Sequence, residues 1–536
     1  MKSFSFILFF IVFLSYFSVS HSTFGQINNN PYASVQMGKE YSISRRGEIG
    51  SIIGYDKTGF YLLKFETKSL FRTDNYLEHY DINLNQIKSE KLELEDDYTL
   101  VRISQLNGNL YLFSQLLDKK TKEKTLFVQQ IDSKSLKFKG QKKQIAQISF
   151  EGNRSRNSGS FSFSVARDTS KILVYYQLPY EKKENEKFGF HVFDNDMNLL
   201  WSKNVILPYE DKLLGVTDYK IDKKGNVHLL SILYKEKART KRAGKPNYSY
   251  KILSYTDEGK TLKEYDVVVK DKFLTDMQLA IADNSNLICA GFYSNVGTFS
   301  IEGSYFLTID SESKQIKTKS FKEFGLDFIT QDMSEKQKKK TKKKADKGKD
   351  VELYEYDLNN IILKEDGGAV LVGEQFYIRE STIRTTGANG QVSSRTNYYY
   401  NYHDIIVISI SPAGEIDWAH KVPKRQTTVN DGGYYSSYTL AIVGDKLHFV
   451  FNDNARNIYD KSLKEGKVYS FSYKNLAVAL NTVDSNGKQN RISLLNTPKK
   501  EEIVRPKVSV QVSKNEMILF AKRKKKYQFI RITFKD

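Results

Sequence analysis

One unit recurs through almost the whole of this 536-residue chain, and it constrains the fold more than any other feature. Each copy is an alternating apolar strand, a short polar turn, a second strand, a looser loop, a third strand ending in a turn residue, and a fourth strand. The third strands read Leu77-Glu78-His79-Tyr80-Asp81, Val128-Gln129-Gln130-Ile131-Asp132, Phe190-His191-Val192-Phe193-Asp194 and Phe306-Leu307-Thr308-Ile309-Asp310, with further copies ending at 257, 411 and 484. The seven turn positions are 81, 132, 194, 257, 310, 411 and 484, so the intervals are 51, 62, 63, 53, 101 and 73. Small turns also join a first to a second strand at 56–59, 107–109, 168–171, 222–226, 283–286, 365–368, 444–446 and 513–515, which makes eight. The flanks of these turns alternate and are rich in β-branched and aromatic residues, which suit a half-buried pleated surface.

Helix-period stretches are essentially absent, so the chain is expected to be all-β. Four short antiparallel strands at a spacing near 50 to 60 residues fit a β-propeller of four-stranded antiparallel blades. The last unit ends on its third strand at 527–534, and 40–45 has no repeat of its own. A ring closed by that N-terminal strand leaves no open sheet edge, which favours eight blades over the alternative of seven. The competing arrangement is two antiparallel domains divided near residue 340. Even repetition on both sides argues against it.

The first segment reads as an address. Lys2 precedes an apolar run from about Phe4 to Val19, followed by His21-Ser22-Thr23, the pattern of a secretory signal peptide. Cleavage is expected after Gly25, so that 1–25 is removed, 26–39 is a short lead and 40–536 is a single propeller domain. No later apolar run is long enough to span a bilayer, so an exported chain without an integral membrane segment, periplasmic or extracellular, is expected. A single cysteine, Cys289, excludes an intramolecular disulfide and a multi-cysteine zinc site.

There are 83 Lys+Arg against 63 Asp+Glu, a net +20, which in a cytoplasmic chain would suggest nucleic acid. Outside the cytoplasm the abundant polyanions are lipid head groups, acidic glycans and proteins, so no nucleic-acid partner is expected. The densest basic run, 336–349, carries nine Lys and only Asp346, a net of 9 − 1 = +8. Such a block repels itself, and a solvated disordered insertion at about 333–352 is expected.

In two copies a tryptophan follows the turn: Gly414-Glu415-Ile416-Asp417-Trp418, and Asp194 to Trp201 with Met197 in place of the glycine. The chain resembles exported bacterial β-propeller repeat proteins over about 40–536, and these two copies resemble the repeat of quinoprotein-type eight-bladed propellers. The quinone-dependent enzymes of that family use adjacent cysteines beside the cofactor, which this chain cannot supply. The resemblance therefore implies the scaffold and its non-enzymatic branch, with no cofactor.

In a four-stranded meander the first–second and third–fourth turns lie at one end, and the second–third loops and the connections between units lie at the other. The first set is short throughout. The second carries every insertion: 235–248, 324–358, 378–403, 423–437 and 453–473. Insertions confined to one face mark a binding face. Its most distinctive residues are Arg379, Tyr399, Tyr400 and Tyr402, then Tyr434 and Tyr435, then Asn452, Asp453, Asn454 and Arg456. Tyrosine offers rigid apolar area with a polar tip and arginine a planar donor fork, a mixture that suits a protein surface or the flat face of a sugar. Tyrosines that cover strand ends and Asn/Asp that cap turns would look the same in sequence.

Motifs of catalysis are missing: there is no Gly-x-Ser-x-Gly, His-Glu-x-x-His, phosphate-binding loop or Gly-x-Gly-x-x-Gly. Asp194-Asn195-Asp196-Met197-Asn198 begins like a calcium loop but has Leu199 at the glycine position and Val205 at that of the bidentate acid, so a turn without metal is expected. Two functions follow. One is a non-catalytic exported scaffold that binds a protein of the cell envelope, and the other is a carbohydrate-binding or carbohydrate-active propeller. Sequence leaves the oligomeric state open.

Overall fold

A computed structural model describes residues 27–69, 72–151, 157–179, 184–236, 240–270, 272–313, 315–331, 333–386, 389, 391–460, 467–495 and 502–535. The expected signal peptide and its cleavage site lie outside the described residues. The chain is all-β, and eight antiparallel sheets of four or more strands follow one another among the described residues. The first comprises Gly47–Asp56, Gly59–Ser69, Arg72–Asp81 and Gln86–Lys91. The second runs from Tyr98–Leu106 to Phe138–Ser149, the third from Ser160–Val165 to Leu199–Glu210, and the fourth from Leu214–Ile221 to Thr261–Val267. The fifth runs from Phe273–Ile281 to Ile316–Glu323 and the seventh from Thr439–Val443 to Gln489–Ser493. The sixth is Tyr356–Leu363, Ala369–Thr386, Val392–Ile410 and Ile416–Val422, with Gln426–Val429 added on the third strand.

Every turn read from the sequence falls between strands, and the turn acids show why. Asp81, Asp194, Asp222 and Asp484 each accept through Oδ1 from backbone N–H groups two and four residues on, at 2.8 to 3.0 Å. A short carboxylate that caps its own turn replaces the ladder bonds lost where the chain reverses. Asp194 is thus the anchor of a hairpin turn. Met197 there has φ +62°, the left-handed conformation that Gly414 adopts at +81° in the equivalent turn.

The eighth sheet corrects the expected role of 40–45. Glu516–Arg523 and Lys526–Phe534 pair with each other, and the strand beside Lys526–Phe534 is Ala33–Met37, in register from Ala33↔Phe534 to Met37↔Ile530. Ile27–Asn29 pairs beyond it, and Tyr41–Ser42 reaches only the start of the same strand at Tyr527 and Lys526. The expected lead is therefore part of the sheet. Ala33 and Val35 alternate inward with no exposed surface, whereas 40–45 puts a single residue, Ile43, in the core.

The core is not one mass. Among the described residues it divides into eight apolar clusters, and each draws side chains from two sheets. Tyr61, Leu63 and Leu77 of the first sheet meet Leu110, Leu112 and Ile131 of the second, for example. Phe60 and Tyr80 of the first sheet meet Ile518 and Phe529 of the eighth, with ring centroids of Phe60 and Phe529 4.9 Å apart. Each fully buried large side chain contributes roughly 1.5–3 kcal/mol, so the sheets are held by their faces.

Among the described residues the helices lie in second–third loops or between sheets. Helices α1 (Leu326–Thr330) and α2 (Glu335–Ala345) join the fifth sheet to the sixth, and α3 (Arg456–Tyr459) lies within the seventh. The Lys-rich insertion departs from the expected disorder. It is helical over Glu335–Ala345, because Ser334 and Gln337 form a capping box and lysine is a good helix former wherever its charge can reach water.

Candidate functional site

The second and third strands of the sixth sheet outrun their neighbours. Their pairing continues from Ala369↔Ile410 to Thr386↔Val392, but the first strand leaves at Tyr356↔Gln375 and the fourth at Ile405↔Val422. Residues 376–386 and 392–402 therefore project as a two-stranded ribbon, roughly 35 Å long at about 3.3 Å per residue. Gln426–Val429 covers one edge near the base, in register with Tyr399 to Tyr402.

Around that base the candidate residues separate by depth. Arg379 lies opposite Tyr399 in the ribbon, with its guanidinium 4.9 Å from the ring centroid. Tyr400 sits half-buried opposite Ile378. Tyr402 is buried against Phe376, and Lys507 donates to its hydroxyl at 2.8 Å. Gly433, at φ +66°, closes over that ring: a Cβ there would lie 2.4 Å from it. Tyr434 packs edge-on to Tyr435 at 4.8 Å, and the Arg505 guanidinium stacks 3.7 Å from the Tyr434 centroid. Arg456, exposed on α3, stacks 3.7 Å from Tyr469 and donates to its hydroxyl at 2.6 Å. Cation–aromatic pairs thus recur across this end of the molecule, three of them joining residues far apart in the chain or on different strands.

Asn452, Asp453 and Asn454 lie beneath that surface. Asn452 is fully buried and donates to the carbonyls of Tyr435 and Val504 at 2.8 and 2.7 Å. Asp453 accepts from Asn457 Nδ2 at 2.7 Å and from Arg491 Nη1 at 3.0 Å. Asn454 donates to the Ser470 carbonyl and accepts from Arg456 N. These three side chains hold the loops together, and the exposed part of the candidate face is Arg379, Arg456 and the outer edges of the tyrosines.

Sequence reasoning missed the group that fixes this arrangement. Lys424, 0 % exposed, lies 2.7 Å from Glu374 Oε1, as an ion pair off the hydrogen-bonding direction, and donates to the Tyr402 carbonyl at 3.0 Å and Gln426 Oε1 at 3.1 Å. Ser437 Oγ donates to the other Glu374 oxygen at 2.7 Å, and Gln426 Nε2 donates to the Asn452 carbonyl at 2.8 Å. Burial lowers the Lys424 pKa, opposed by Glu374, Asp404 and Asp453. Burial, with Lys424 and Arg425 nearby, pushes His403 down to about 4. Val422-Pro423-Lys424-Arg425 carries no sign of this in sequence, because an isolated lysine between a proline and an arginine reads as surface.

Acids line the neighbouring first strands. Burial and then Asp357 push Asp276 up to about 6, against the Leu358 N–H that it accepts at 2.6 Å, and burial with Glu374 raises Asp357. Asp276 also borders a hollow of about 440 Å³ with Asp218, Lys220, Tyr250 and Gln278. Among the described residues no group of three or more His, Cys, Asp or Glu is placed to hold a metal ion.

No known family matches the sequence, and no curated protein matches it. Solved structures with a similar trace include β-propeller and WD40 domains. The β-propeller domain of the Trilobed protease from Pyrococcus furiosus is 10 % identical, with 85 % of this chain and 100 % of that one covered and a TM-score of 0.34. The WD40 domain of SCAP from fission yeast is 10 % identical, with 95 % and 97 % covered and a TM-score of 0.39. The acylaminoacyl peptidase of Pyrococcus horikoshii is 8 % identical, with 90 % of this chain and 59 % of that one covered and a TM-score of 0.33. No residue of the site is carried over from them.

Proposed function

We propose that this chain is an exported, non-catalytic scaffold of the cell envelope, an eight-bladed propeller that binds a protein partner through its loop-elaborated face. Four observations support the eight-bladed ring. Each apolar cluster is shared by sheets adjacent in the chain, apart from the one shared by the eighth and the first. First strands pack side by side, as Leu214–Ile221 does with Phe273–Ile281 and the latter with Tyr356–Leu363. Arg505 of the eighth unit donates to the Ile49 carbonyl of the first at 2.7 Å. Finally, Trp201 and Trp418, the residues behind the quinoprotein-type resemblance, each donate to a turn carbonyl of the next sheet, Gly225 at 3.2 Å and Ser485 at 3.0 Å.

The observation that carries the binding role is that the tyrosine–arginine pairs among the described residues, Arg379–Tyr399, Arg505–Tyr434 and Arg456–Tyr469, all lie around the projecting ribbon and the loops beside it. Rigid aromatic area with arginine is the composition of protein–protein hot spots. The test is cross-linked co-purification of the C-terminally tagged protein from the envelope of its native cell. A stoichiometric protein partner is expected, lost when Tyr399, Tyr434 and Arg456 are changed together to Ala while the melting curve shows a folded chain. A free monomer in every fraction sinks the reading.

One observation favours carbohydrate as a second reading. The hollow beside Asp276 and Asp218 combines carboxylates with Tyr250 and Gln278, groups that suit sugar hydroxyls and a ring face. Glycan-array binding that is lost in Asp276→Asn, with no protein partner recovered, would establish it.

A further inference from the structure

The Lys-rich helix and a rim of exposed apolar side chains meet at the same end of the molecule, and we infer that together they form a docking surface for an anionic phospholipid bilayer. Helix α2 is held to the body by one side. Lys338, Thr341 and Ala345 are its less exposed positions, Thr341 Oγ1 lies 3.6 Å from Met333 Sδ, and Met333 packs on the apolar cluster that also contains Ile329 of α1. At 100° per residue those three positions fall on one arc, which leaves Lys336, Lys340 and Lys343 on the opposite side, flanked by Lys339 and followed by Lys347. Among the described residues only Lys338 of this run pairs with a carboxylate, Glu335 at 3.5 Å. The remaining lysines offer an uncompensated positive field to whatever approaches.

Charge alone would fit any polyanion, and the neighbouring loops decide between them. Ser300–Ile301, in the second–third loop of the fifth sheet, pairs with Leu353–Tyr354, just beyond the Lys-rich run. This small ladder presents Phe299 and Tyr354 to solvent at 66 % and 52 % exposure, with Val296 at 37 %. A surface hollow of about 460 Å³ joins Val296, Ser300 and Tyr354 to Gly348, Lys349, Asp350 and Glu352, so the rim and the end of the basic run are contiguous, with two acids between them. Lys241 of a further insertion donates to the Val296 carbonyl at 2.8 Å. Exposed Phe and Tyr at the end of a run of net charge +8, which outweighs Asp350, Glu352 and Glu355 at the rim itself, is the composition of a lipid interface, where the rings enter the head-group layer and the ammonium groups stay with the phosphates. A glycan or a nucleic acid would satisfy the lysines but gives no reason for Phe299. Helix α2 has no apolar face, so the expected contact is adsorption with shallow entry of the loop tips.

The experiment is co-sedimentation of the purified full chain with phosphatidylcholine vesicles, with and without phosphatidylglycerol. The apolar run at 4–19 would bind both kinds alike, so the quantity read is the difference between them. Preferential binding to the anionic vesicles is expected, weakening with salt, and falling by about two orders of magnitude or more when Lys336, Lys339, Lys340 and Lys343 are changed to Glu. A second variant, Phe299→Trp, should show a blue shift of its added emission on the anionic vesicles. Equal binding to both vesicles, or no binding to either, would overturn the inference. Preferential binding without a shift in Phe299→Trp would also overturn it and leave a polyanion patch. Neither site overlaps Tyr399, Tyr434 or Arg456, so loss of the proposed protein partner and loss of lipid binding are separately readable.

Discussion

Lys424 and Glu374 form an ion pair at 2.7 Å with their side chains 0 % and 5 % exposed, and through it the segment after the sixth sheet is tied to the base of the ribbon. Removing one partner leaves the other charge in a dry site. Lys424→Ala is therefore expected to cost about 3–5 kcal/mol in urea unfolding. Replacing both at once, with Lys424→Met and Glu374→Leu, should cost clearly less than the sum of the single changes, with a coupling of about 2 kcal/mol. Additive losses would mean that the pair is not an interacting unit.

Asp276 gives the pH dependence a definite sign. Its carboxyl is raised to about 6 in the folded chain, chiefly by burial, whereas the unfolded value is near 3.8. The folded state thus holds the proton more tightly, so this group's contribution is fully present below about pH 4 and is lost as pH rises through 6. Asp276→Asn removes the titration. The stability of the wild type relative to this variant should fall between about pH 4 and pH 6 and then level off, as followed by urea midpoints across that range.

Gly433 lies where a side chain cannot. Its φ of +66° disfavours an L-residue, and a Cβ would meet the Tyr402 ring at 2.4 Å. Gly433→Ala should lower stability by about 2 kcal/mol and separate Tyr402 from Lys507. Differential scanning calorimetry reads the first effect, and loss of the co-purified partner would tie the second to function.

Val35 tests the strand that completes the eighth sheet. It has no exposed surface and packs with Ile530, Ile532 and Phe534. Val35→Asp buries an unpaired charge and should cost more than about 4 kcal/mol, whereas Gln36→Glu, on the other face of the same strand, should stay within about 0.5 kcal/mol. The urea midpoints of the two variants distinguish a structural strand from a loosely attached lead.

The repeat was legible because its punctuation is local. A turn aspartate such as Asp81 or Asp484 binds amides two and four residues away, so the residues that make the turn are the residues that announce it. Alternation in the flanking strands shows as directly, because side chains of a strand point to opposite faces at a period of two. The position of the insertions followed from strand order alone. Less of the site was legible. Tyr399, Tyr434 and Arg456 could be named, but Asn452, Asp453 and Asn454 look equally polar in sequence and proved to be internal struts. Lys424 gave no signal.

By itself, then, the sequence determined the all-β class, the sheet-by-sheet period, every turn of the meander and the end of the molecule that carries the elaboration, since each depends on contacts within a few residues. Tertiary structure decided what depends on distance along the chain. It assigned Ala33–Met37 rather than 40–45 to the strand Lys526–Phe534 at the other end of the chain, buried Lys424 against Glu374, and paired Ser300–Ile301 with Leu353–Tyr354 beyond the lysine run. Those outcomes are set by which surfaces exclude water together, and burial of that kind is a property of two segments that neither one encodes alone.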